Sequence, residues 1–159
     1  MADRYQGGRN QNKRSYEDFD FSVFDKNCQI WMQNSFDDKT ITFAENFGKY
    51  LAKTKRVSTS QVRNIFAEIQ RIKSRAKNEN FEIGTENFKS FLLLKPKMAY
   101  MANKGSRGSK EGLDSLNRVL VKAHFAVTSE NENKSKALGN FCDLFEAIVA
   151  YHKAFNPPR

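Results

Sequence analysis

The chain is poor in the residues from which catalytic and metal sites are built. Its only cysteines, Cys28 and Cys142, are two isolated thiols, too few for a disulfide framework or a zinc site. That usage fits a reduced, cytoplasmic protein. There are two histidines, His124 and His152, and each falls inside an amphipathic helical pattern. Cys142 and His152 lie about three helical turns apart on one helix, too far to share a metal without a further partner. No apolar run approaches the roughly 20 residues that span a bilayer. The polar N-terminus shows no apolar signal core, so no secretory signal is expected. Neither a metal nor a cofactor is expected, and no internal repeat of fixed period is visible.

What is present is apolar mass and positive charge. Apolar residues make up 39% of the 159, enough for one ordinary domain with a real core. Fourteen phenylalanines against one tryptophan make that core rich in phenylalanine. The formal net charge is +9 and the isoelectric point about 9.6. Such a balance favours an acidic partner, most commonly nucleic acid. The plain alternative is a solvated basic face.

The charge is unevenly placed. Residues 1–15 carry Arg4, Arg9, Lys13 and Arg14 without periodicity, and residues 16–38 turn acidic and aromatic. Residues 1–38 are therefore expected to be a mobile basic, then acidic N-terminal segment, with a helical bundle over 39–159. Thr42 and Glu45 have capping-box spacing ahead of Phe43, Phe47, Tyr50 and Leu51. Ser58 and Gln61 form a second such box, with Val57 and Val62 spaced as a hydrophobic staple across it. Val62, Ile65, Phe66, Ile69 and Ile72 then follow at helical spacing. Over residues 49–77 nine Lys or Arg oppose a single acid, Glu68.

A third helix is expected from Thr85, kinked, broken or restarted at Pro96 between Lys95 and Lys97. Gly105 and Gly108 mark a loop. A fourth helix carries Leu113, Leu116, Leu120 and Val127, and a fifth carries Leu138, Phe141, Phe145, Ile148 and Val149. With no convincing pair of strands, the pattern predicts an all-α, single-domain bundle of about five helices.

No feature demands an enzyme. The glycine-rich stretch 105–110 lacks the order of a nucleotide P-loop. Asp143 and Glu146 have the spacing of a surface pair. A lone histidine on a helix is more often a packing residue than a base. Binding remains: Lys53, Lys55 and Arg56 lead into a helix start that itself favours phosphate, with Gln61 and Arg63 on its first turns. A second basic bend brings Lys95 and Lys97, then Lys104 and Arg107. Tyr100 beside them is either a core ring or a ring that stacks on a ribose or base.

Three stretches resemble one family. Ser58-Thr59-Ser60-Gln61-Val62-Arg63-Asn64-Ile65-Phe66 resembles a helix start in the small subunit of type III-A CRISPR–Cas (Csm) effector complexes. Leu92-Leu93-Leu94-Lys95-Pro96-Lys97-Met98-Ala99-Tyr100 is similar to a second element of that family. Phe145-Glu146-Ala147-Ile148-Val149-Ala150-Tyr151-His152-Lys153 is similar to its C-terminal helix. After Tyr100 the chain departs from the family pattern, with Lys104 before the glycine and Arg107 two residues after it.

The resemblance implies a five-helix protein without catalytic activity that serves antiviral defence. It implies copies stacked along the inner side of the effector, contacting its large polymerase-like subunit and its backbone subunits. It also implies a grip on the guide RNA–target RNA duplex through the backbone. On this reading Lys53, Lys55, Arg56, Gln61 and Arg63 hold one stretch of RNA, and Lys95, Lys97, Tyr100, Lys104 and Arg107 hold another or a neighbouring subunit. Two other readings stand beside it: a metal-independent ribonuclease using His124 or His152, and a protein–protein adaptor that never meets nucleic acid.

Overall fold

The computed structural model describes residues 19–78, 85–104 and 108–156. The basic arm 1–15, residues 79–84, Gly105 and Arg107 lie outside the described residues. Helices α1 (Ser22–Gln33), α2 (Asp38–Lys49), α3 (Thr59–Asn78), α4 (Glu86–Leu92), α5 (Leu94–Lys104), α6 (Lys110–Thr128) and α7 (Lys134–Phe155) follow one another. A π-helical turn, Tyr50–Thr54, extends α2. Among the described residues there is no strand, and no helix is long and apolar enough to cross a membrane. The all-α bundle agrees with the periodicity. The helices beyond the expected five are α1, ahead of the first, and the division of the third into α4 and α5. Helix α7 is the central element, packing against α1, α2, α3 and α6.

The bundle begins before the expected boundary at residue 39. Helix α1 buries Phe24, Cys28, Trp31 and Met32, all 2% exposed or less, against α6 and α7. The acids of residues 16–38 misdirect a reading by charge, while the apolar side chain at every third or fourth position of α1 does the packing. Polar links fasten it. The Gln33 side-chain amide donates to the Ala126 carbonyl at 2.9 Å, and that of Asn140 donates to the Met32 carbonyl at 2.9 Å. Arg118 and Lys122 of α6 both reach Asp25, at 2.9 and 3.3 Å.

Helix α2 also starts earlier than Thr42. Asp37 is its cap, accepting from the Lys39 and Thr40 amides, while the Thr40 hydroxyl accepts from the Asp37 amide. This is a capping box with aspartate and threonine in place of the usual pair. Thr42 lies inside the helix, its hydroxyl donating to the Asp38 carbonyl. Phe43 and Phe47 stack 5.5 Å apart and join Phe24, Trp31 and Tyr50 in an aromatic half-core. Phe91, Phe141 and Phe145 form the other half around His124.

The break near Pro96 falls at Leu93, two residues earlier than the alternative that placed the proline first. Pro96 sits in the first turn of α5, where a missing amide hydrogen leaves no helical bond unmade. The chain bends there and keeps its core face, since Phe91, Leu94 and Met98 are all buried.

Where α2 crosses α7, Gly48 allows backbone contact. A Cβ there would stand 2.8 Å from Tyr151 Cβ and 2.9 Å from the His152 amide nitrogen. The close crossing and the α1 packing together define the N-terminal half of the fold. Trp31→Ala is expected to cost about 3–5 kcal/mol of stability, as for other large buried rings. Urea unfolding of the full chain measures it, and a loss under about 1 kcal/mol would mean that α1 is not part of the cooperative core.

Candidate nucleic-acid interface

The segment between α2 and α3 carries the densest run of cations expected to meet RNA, and it is held rigidly. The π turn lets Tyr50, Leu51 and Ala52 all be buried in succession, which a narrow α-helical stripe does not. Its wider bonding runs from the Lys55 amide to the Tyr50 carbonyl and from the Val57 amide to the Leu51 carbonyl. Turns of this kind are enriched at functional sites. Arg56 then adopts the left-handed region at φ 51°, ending the helix in the role usually given to glycine.

Several interactions fix the turn from beneath. The Val57 side chain is fully buried, and its carbonyl accepts from His152 Nε2 at 2.7 Å. Gly112 of α6 makes room for it: a Cβ at 112 would clash with Val57 Cγ2 and stand 2.9 Å from Lys55 Cβ. Ser58 and Gln61 form the expected capping box, with the Ser58 amide donating to Gln61 Oε1 at 3.0 Å and the Gln61 amide donating to Ser58 Oγ at 3.2 Å. The Gln61 side-chain amide goes on to donate to Ser109 Oγ at 2.9 Å, tying α3 to the start of α6.

The ten residues expected to bind RNA separate accordingly. Lys53, Arg56 and Arg63 are exposed and have no carboxylate within ion-pair distance among the described residues. Lys55 is different: it is 8% exposed and its ammonium is paired with Glu111. Gln61 is committed at both ends of its amide. Both belong to the frame beneath Arg56 rather than to a surface. Adjacent residues pointed opposite ways are invisible to a charge count.

The second cluster also divides. Lys97 is exposed and reaches Glu68 of α3 at 3.4 Å, while Lys95 faces the other side of the bend and lines a groove between α1 and α6. Tyr100 is 61% exposed, which removes the core alternative, and Lys104 Nζ lies 5.0 Å from the centre of its ring. On α3, Arg63, Arg71 and Arg75 fall within an arc of roughly 120° on the exposed side. Arg71 bonds Glu68 at 2.8 Å. Lys73 instead turns toward α7, bonding Asp143 at 3.2 Å and Glu146 at 3.1 Å, and hydrogen bonding to Glu146 holds its ammonium above the ordinary lysine value. The surface acids of α7 thus serve as a cross-brace.

Both histidines are interior packing groups. His124 is 2% exposed, stacks on Phe91 with ring centres 4.1 Å apart, and donates from Nε2 to the Phe91 carbonyl at 2.7 Å. His152 is fully buried, and its Nδ1 has no partner among the described residues. Burial lowers the pKa of each ring below the usual histidine value, against the opposing pull of the carbonyl bond. Neither ring is open to a substrate. Burial likewise pushes both thiols up to about 12.

Two outcomes follow from this frame. Because the unfolded chain binds protons near pH 6.5 that the folded histidines refuse, stability is full at neutral pH and falls as pH drops below about 6.5. The slope is at most about 1.4 kcal/mol per pH unit for each ring, and His124→Gln, which keeps a donor, is expected to make it shallower in denaturant titrations. Gly112→Ala is expected to destabilise by about 1–3 kcal/mol through overpacking against Val57. Urea titration reads that loss, and amide chemical-shift changes at residues 55–58 show whether the turn is the part that moves.

Comparison with known proteins gives one family. The model of the Csm2 Type III-A family matches residues 35–158, from the cap of α2 through α7, leaving α1 ahead of the matched stretch. Neither the curated proteins nor the solved structures contain a match. The matched segment covers most of the chain and includes the locked turn, α3 and the α5 bend, and on that ground the chain belongs to the Csm2 Type III-A family, the small subunit of type III-A CRISPR (Csm) complexes.

Proposed function

We propose that this chain is a non-catalytic, RNA-binding structural subunit that holds the guide RNA–target RNA duplex through its backbone within the effector complex. Contact with the large polymerase-like subunit, with the backbone subunits and with further copies of itself belongs to the same reading, as does a role in antiviral defence in the cytoplasm. The observation that carries it is Arg56. A bulky residue in the left-handed region costs on the order of 1–3 kcal/mol relative to a relaxed backbone, and glycine would relieve much of it. An arginine held there, on a turn braced by Lys55, Val57, Gln61 and His152, is best understood as a side chain aimed at something outside the molecule. The exposed Lys53 and Arg63 flank it, and all three can neutralise phosphates.

Backbone recognition suits the partner. An RNA duplex hides the base edges of its deep groove, so a protein that leaves sequence to base pairing needs only shape and charge. Bonds to phosphate set position without reading sequence. The buried histidines support the non-catalytic part, because a general base has to reach the proton that it takes.

The strained arginine separates function from stability. Arg56→Gly is expected to leave the melting temperature unchanged or raised, while weakening RNA duplexes of unrelated sequence about equally. The slope of log affinity against log salt is expected to shallow by about one for each phosphate that the variant no longer neutralises. Mobility shifts at several salt concentrations, paired with thermal melts, test both halves. Undiminished binding by a variant without Arg56 and Arg63 would overturn the reading.

A further inference from the structure

A concavity with a volume of about 770 Å³ lies away from the Arg56 turn, between α1 and α6. That is the size of a small-molecule site. Its floor is apolar, formed by Val121, Ala126 and the edge of Cys28. At its rim stands Phe125, 68% exposed, the most exposed of the large hydrophobic side chains among the described residues. A phenyl ring displayed in water at the edge of a groove offers a flat apolar face on which a ligand can pack.

The charges around this ring are not balanced. Two carboxylates line the groove, and each is already held: Asp25 by Arg118 and Lys122, and Asp114 by Lys110 at 3.6 Å. Lys26 and Lys95 also line it and have no ion-pair partner among the described residues. An exposed aromatic face in a groove also lined by such lysines, one from α1 and one from α5, matches an anion that carries a flat apolar surface.

We infer that this groove binds an unpaired nucleotide of a single RNA strand, its base stacked on Phe125 and its phosphates held by Lys26 and Lys95. Aromatic platforms within cationic grooves are the common means of holding single strands without sequence preference. The site rests on the RNA-binding reading above and extends it. Lys95-Pro96-Lys97 joins the two surfaces: Lys97 lies against Glu68 on the α3 side, and Lys95 turns into the groove. A strand gripped along α3 can therefore pass over the bend and leave an unpaired base on Phe125.

The test uses the full chain with two probes at one salt concentration, a labelled single-stranded oligouridylate of about ten residues, within the site size of single-strand binders, and a blunt RNA duplex, both read by fluorescence anisotropy. Phe125→Ala is expected to weaken the single strand about 5- to 100-fold and to leave the duplex unchanged. Phe125→Trp is expected to keep single-strand binding, with indole fluorescence quenched as the oligonucleotide is added. Lys26→Ala and Lys95→Ala are expected to weaken the single strand and shallow its salt dependence. Single-strand binding indifferent to Phe125→Ala would overturn the site. So would a glutamate–tyrosine copolymer that binds through Phe125 while RNA does not, which would make the groove a dock for an acidic protein segment. Duplex binding that ignores Arg56 would sink the duplex grip and leave the Phe125 result standing by itself.

Discussion

The hydrogen bond from His152 to the Val57 carbonyl is the point where three distant parts of the chain meet. His152 belongs to the last helix, Val57 to the turn between α2 and α3, and Gly112, whose missing side chain makes room for Val57, to α6. The ring donates from Nε2, and burial keeps it neutral. A buried carbonyl would otherwise lack a donor, because the left-handed Arg56 has already turned the backbone away from the helix. The turn is therefore not held by its own local bonding alone. It depends on the whole bundle being assembled, so its exposed arginine is displayed only by the folded protein.

The legible parts of the sequence were those where a local rule had no competitor. Ser58 and Gln61 formed the expected box, and Val57 and Val62 were both buried beside it, because cap and staple are set by near neighbours in the chain. The helical faces of α3, α6 and α7 were legible from apolar spacing for the same reason. Helix α1 was obscured because the acids of residues 16–38 were weighed as a composition, whereas burial is decided by spacing: Phe24, Cys28, Trp31 and Met32 share one face. The start of α2 was hidden by an aspartate–threonine box that does the work of the commoner serine–glutamate pattern.

The candidate RNA-binding residues were legible as a neighbourhood but not as individuals. Lys55 and Arg56 read alike as letters, yet one is paired with Glu111 inside the frame and the other stands in solvent. Their opposite fates come from the π turn and the positive φ, and neither has a signature in residue type. Tyr100 could be placed only once the bend at Leu93 had fixed the rotation of α5. Phe125 sits one position outside the buried stripe of α6, between His124 and Ala126, where apolar spacing alone does not tell a core ring from a displayed one.

Charge pairing shows how one basic chain can be a stable bundle and still hold exposed cations free of acids. Like charges packed together destabilise a compact state, and acids of this protein are placed where that repulsion would act on the scaffold. Asp143 and Glu146 tie down Lys73 between α3 and α7, Asp25 ties α1 to α6 through Arg118 and Lys122, and Glu111 neutralises Lys55 beneath the turn. Each of these acids bridges two elements. Among the described residues, Lys53, Arg56 and Arg63 on one side, and Lys26 and Lys95 on the other, have no counter-ion. Exposed pairs contribute little stability singly, so withholding acids from these five costs the fold little. The same omission leaves their full charge for phosphate, which releases counterions when neutralised and so drives binding. A sequence with the same net charge but acids beside these cations would keep the bundle and lose that free charge.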